Sequence, residues 1–141
     1  MSLLTQSLIL IGLLFGAAPG SAQSTHTPGP GSTERKAIMD AARVPVEIKL
    51  RKRVVFKVEH LKVEKDWAFM TGIPQTPDGR LAYEGTEYED QWRAGGISNL
   101  VVALLHWQGD RWRVTAYVIG PSDVVYENWD RKYGAPRAIF R

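Results

Sequence analysis

Near residue 53 the hydrophobic period of this chain changes from that of a helix to that of a strand, and there is no cysteine to fasten the two parts together. Ala37, Ile38, Ala41 and Ala42 recur at helical spacing. From Val54 to Val63 most apolar residues alternate with polar ones, as in a half-buried strand. With disulfides excluded, helix and strands must hold each other by burying apolar surface. Segregated runs of helix and strand specify a layered α+β domain.

The alternation assigns faces. In the first strand Val54, Phe56, Val58 and His60 share one side, and Val55, Lys57, Glu59 and Leu61 share the other. Residues 64–66 make a turn. A second strand over 67–73 places Trp67, Phe69, Thr71 and Ile73 together. Thr-Pro-Asp-Gly within 74–80 is a turn signal. Residues 81–88 read as a short strand, and 89–96, ending in Gly95-Gly96, as a mobile polar loop. Residues 99–107 are apolar on both faces, which suits a central strand. After Gln108-Gly109-Asp110, residues 111–119 pair back, with Trp112, Val114, Ala116 and Val118 against Arg111, Arg113, Thr115 and Tyr117.

Ser32 or Thr33 caps the first helix, with Glu34 at its positive end. Pro45 ends or kinks that helix, or opens a second turn through Leu50. Ser122-Asp123 starts a last helix through Lys132, with Val125 and Trp129 on one face and Gly134 as its C-terminal glycine. The expected architecture is an N-terminal helix packed on a curved, mainly antiparallel sheet of four to five strands, with a short C-terminal helix.

Residues 1–22 carry no charged side chain and no histidine. Leu8 to Ala18 is almost wholly apolar, Pro19-Gly20 follows, and Gly20-Ser21-Ala22 offers small residues for cleavage. This is the layout of a signal peptide spanning 1–22. The alternative is a retained anchor, but the apolar run is about half the roughly 20 residues needed to cross a bilayer. The chain is therefore expected to be periplasmic or secreted, without stable membrane insertion after cleavage. Residues 23–32 (Gln-Ser-Thr-His-Thr-Pro-Gly-Pro-Gly-Ser) read as a flexible leader, which sets His26 aside as a site residue. Residues 33–141 form one α+β domain. The net charge of +3 favours solubility and does not imply nucleic-acid binding.

Lys65-Asp66-Trp67-Ala68-Phe69-Met70 and Gly109-Asp110-Arg111-Trp112-Arg113-Val114 resemble strand openings of the cystatin-like α+β rolls of the nuclear-transport-factor and polyketide-cyclase group. Together with Ile119-Gly120-Pro121-Ser122-Asp123 and Tyr133-Gly134-Ala135-Pro136, they also resemble small exported bacterial proteins of no assigned function. The resemblance runs from about Glu34 to Phe140 and implies a roll. It transfers no catalytic residue, and the C-terminal helix departs from the usual pattern.

His60 and His106 are the candidate general acids or bases, against a plain role at the core's rim. Two histidines without a third ligand make no metal site, and no cofactor is expected. Tyr83, Tyr88 and Trp92 lie in an acidic, aromatic stretch that reads either as a ligand-binding loop or as a cover for the sheet edge. Lys49-Leu50-Arg51-Lys52-Arg53 is the densest basic run. There is no phosphate loop, nucleophile elbow or His-Glu-x-x-His motif. The expected function is a non-catalytic binding or interaction module for an unknown protein or small molecule of the cell envelope. The alternative is a small pocket enzyme of the hydrolase or isomerase type.

Overall fold

The computed structural model describes residues 24–141; the expected signal peptide over 1–22 lies outside the described residues. Helix α1 spans Thr33–Leu50. Ser32 Oγ accepts the Arg35 N–H at 3.2 Å and so caps the helix, and Arg51 ends it in the left-handed region at φ 56°. Pro45 does not end α1. Proline forfeits its bond to the carbonyl four residues back and its ring crowds that carbonyl, a local cost that packing can offset. Burial of Ile38, Met39, Ala42, Val46 and Leu50 on both sides of it keeps the helix in one piece.

Four strands follow: β1 (Val55–Glu64), β2 (Trp67–Gln75), β3 (Val101–Trp107) and β4 (Trp112–Ile119). They form one antiparallel sheet in the order β1-β2-β3-β4, so β1 and β4 are its edge strands. The strand expected over 81–88 does not form. Gln75 and Leu81 make one isolated bridge, after which the chain turns. Ala82 and Tyr83 lie in that turning segment and are both buried against the core. The expected mobile loop over 89–96 holds a short helix, α2 (Glu89–Arg93).

Two register shifts re-sort the side chains. One lies between Val58 and His60 in β1, so that Leu61 and Val63 join Phe56 and Val58 while His60 turns to the other face. The second, where Leu104 and Leu105 pair with Ala116 and Val114, splits β4. Trp112 and Val114 face α1, whereas Ala116 and Val118 face the opposite layer. Both corrections follow from a bulge: one extra residue reverses every later position of a period-two pattern.

The sheet is thus packed on both faces. On one, α1 and residues from the β2–β3 connection cover Met70, Val101, Ala103 and Leu105. On the other, Phe69, Val102 and Leu104 lie under the C-terminal segment, which contains α3 (Trp129–Tyr133) and a 3₁₀ turn (Arg137–Phe140). The last helix is shorter than 122–132. Asp123 Oδ1 accepts the N–H of its neighbour Val124 at 2.7 Å, a local turn in place of a helix cap. Val125 consequently stays exposed while Trp129 is buried. Gly134 does close α3, at φ 74°.

Part of the segment expected to be a leader is tied to the body. His26 exchanges two backbone bonds with Val63, at 2.9 and 2.8 Å, and its Nε2 lies 3.0 Å from Glu34. Among the described residues no helix is long and apolar enough to cross a membrane.

Candidate functional site

A groove of about 480 Å³ runs between α1 and β4. Its walls are Ala41, Val44 and Pro45 on the helix and Trp112, Val114 and Tyr117 on the strand, and Arg111 and Arg113 also line it. Val44 is 58% exposed, and Ile48, one turn further along α1, is 73% exposed. Such side chains on a helix already seated by another stripe leave apolar surface for contact. Pro45 also withholds a bond from the Ala41 carbonyl, which lies on the same wall. Trp112 is half-buried, with Trp107 at 5.7 Å between ring centroids.

A second depression of about 630 Å³ adjoins the end of α1 and contains much of the basic run, with Lys49, Arg51 and Lys52 opposite Gly85, Thr86 and Glu87. Lys52 Nζ donates to the Glu84 carbonyl and Lys49 lies 3.9 Å from Glu87. Cations there also suit the negative end of the helix dipole.

The histidines are apart. His60 Nε2 donates to the Ile139 carbonyl at 2.7 Å, and its ring packs on Phe69 at 5.5 Å. A carbonyl only accepts, so Nε2 carries the proton. His106 stacks on Trp67 at 4.2 Å and its Nδ1 lies 3.1 Å from the Gln108 amide. In the register, His60 pairs with Thr71 while His106 pairs with Trp67. That is four residues of strand, about 13 Å, and two strand spacings, about 10 Å. Among the described residues no three metal-ligating side chains converge.

Tyr83 is fully buried, and its hydroxyl lies 3.0 Å from the Ser98 carbonyl and 3.1 Å from that of Leu100. Burial holds its ionisation well above the usual tyrosine range. It pins the chain entering β3 and offers nothing to a ligand. Tyr88 and Trp92 are half-buried against the same core. Burial, followed by the charges of Glu87 and Tyr117, raises the Tyr88 phenol. Trp92 lies beneath the Arg93 guanidinium at 5.8 Å. The aromatic stretch is therefore mainly a lid on the sheet.

The groove was not among the sequence candidates. Its signal was the second apolar line on α1, Ala41, Val44 and Pro45, beside the buried stripe. No family model, no curated protein and no solved structure matches the chain.

Proposed function

We propose that this is an exported, periplasmic or secreted, non-catalytic binding module whose ligand seat is the groove between α1 and β4. The observation that carries the reading is the apolar surface left open along that groove, with Val44 standing clear of the core. Concave, mostly apolar surfaces with a few polar groups are where proteins take ligands. Export rests on the signal-like pattern of residues 1–22. The pocket-enzyme alternative rested on His60, whose engagement by Ile139 and Phe69 favours a structural role.

The test is thermal melting of the protein against cell-envelope metabolites, glycans, lipids and peptides, repeated with Val114→Arg, which fills the groove. A ligand at about 100 times its Kd stabilises by about 2.7 kcal/mol, a shift of several degrees. The expected result is a shift that Val114→Arg abolishes. A shift indifferent to that substitution, a flat panel, or turnover of any compound overturns the reading.

A further inference from the structure

We infer that the groove takes an extended, acidic segment of another protein, which adds as a strand along the open edge of β4; this rests on the binding-module reading above. The two edges of the sheet differ. Among the described residues only β3 hydrogen-bonds to Trp112–Ile119. Alternate residues of such an edge turn N–H and C=O outward and form a template for a further strand. The β1 edge is blunted: His26 bridges to Val63, Thr25 Oγ1 donates to Glu64 at 2.9 Å, and Lys62 Nζ reaches Thr27. Charged side chains and short covering segments are how edges are protected. Val114 to Val118 carries no charge and no proline.

The groove lies directly beside this edge. An added strand would run about 4.8 Å from β4 and turn every second side chain to one face. Its apolar residues would meet Val44, Trp112 and Val114. The bulge near Thr115 divides the edge into short lengths, so the apolar contacts matter as much as the backbone bonds.

Charge selects the occupant. Arg111 and Arg113 line the groove and no carboxylate does. Arg113 has no described carboxylate within 4.0 Å, while Arg111 has only exposed Asp110, at 3.6 Å. Residues opposite one another on paired strands share a face whichever face it is, so a Glu or Asp across from Arg113 is matched. A second copy would bring the arginines of another +3 chain to the same edge. Residues 1–23 contain no Asp or Glu to serve instead. The occupant is an acidic strand of a different protein.

The test uses the full protein and a capped synthetic peptide, Thr-Val-Glu-Val-Glu-Val-Thr, followed by tryptophan fluorescence. Controls are its Lys-for-Glu counterpart and a version N-methylated at alternate residues. The acidic peptide is expected to saturate, with both controls at least about tenfold weaker. In Arg113→Glu the Glu and Lys peptides exchange order. Should that variant not fold, Arg113→Ala is expected to weaken the Glu peptide several-fold and spare the Lys one. Equal binding of Glu and Lys peptides, full binding of the N-methylated one, or no saturation by any peptide overturns the inference. So does a concentration-dependent dimer that Val114→Arg abolishes, which would make a second copy the occupant. If peptides fail while a non-peptide ligand gives a melting shift lost in Val114→Arg, the acidic strand falls and the binding module stands.

Discussion

The two faces of the sheet are closed by different means. The face under α1 is sealed by a helix of 18 residues and mostly aliphatic side chains: Ile38, Val46, Leu61, Met70, Val101 and Leu105. The opposite face is sealed by short turns after β4 and is aromatic at its centre. Phe69 lies 4.8 Å from Tyr126, 4.6 Å from Phe140 and 6.3 Å from Trp129 between ring centroids. A long helix satisfies its own backbone and needs only a stripe to dock. Irregular segments need individual side chains to hold them, here the His60 bond to Ile139. The C-terminal layer should therefore open first in local fluctuations, whereas α1 and the central strands open only with the whole domain.

Five substitutions can break or sharpen this contrast. The largest effect is expected for Phe69→Ala, about 3–5 kcal/mol in denaturant unfolding, because the rings of His60, Tyr126, Trp129 and Phe140 lose their common partner. Leu105→Ala on the other face should cost about 2–5 kcal/mol. A loss under about 1 kcal/mol for Phe69→Ala would show that the aromatic layer is not a packed core.

Tyr83→Phe comes next, at about 1–3 kcal/mol, because the Ser98 and Leu100 carbonyls lose their hydroxyl donor. It also carries a pH signature. The folded pKa of Tyr83 is raised above its ordinary value of 10.0, mainly by burial. The unfolded chain therefore loses this proton first, and the stability it contributes is full below pH 10.0 and falls as pH rises further. Tyr83→Phe should flatten that alkaline slope. An unchanged slope would assign it to other groups.

His60→Ala should cost about 0.5–1.5 kcal/mol. Hydrogen exchange should accelerate through 129–141 and leave α1 unchanged. Equal acceleration of both layers would mean that the C-terminal segment is no separate unit. The smallest effect is expected for Val44→Ser, within about 0.5 kcal/mol, since that side chain projects from the core. A larger loss on urea unfolding would place Val44 inside the fold and take it from the groove.

The sequence was most legible where one physical demand acted alone. Residues 99–107, apolar on both sides, became the central strand β3, buried on both faces. The Ser32 cap and the Gly134 end were readable because each meets a local backbone need. His60 and Trp112 were harder. Their faces depend on two bulges, and a bulge is set by pairing with the neighbouring strand, which no single-strand pattern reports. Tyr83, Tyr88 and Trp92 read either as a recognition loop or as a cover for the sheet edge, because aromatic residues suit both binding and burial; their placement against the core in the fold favours the cover.

By itself the sequence determined the α+β class, a core held without disulfides, the Ser32 cap, the Gly134 helix end and the central strand. These follow from local periodicity, backbone preference and the absence of cysteine. The tertiary structure alone decided that Pro45 sits inside a continuous helix, that the sheet has four strands covered on both faces, and that the open apolar groove lies beside β4. Those outcomes depend on contacts between residues far apart in the chain, such as the 79-residue separation between His60 and Ile139, whose energies no short window of sequence contains.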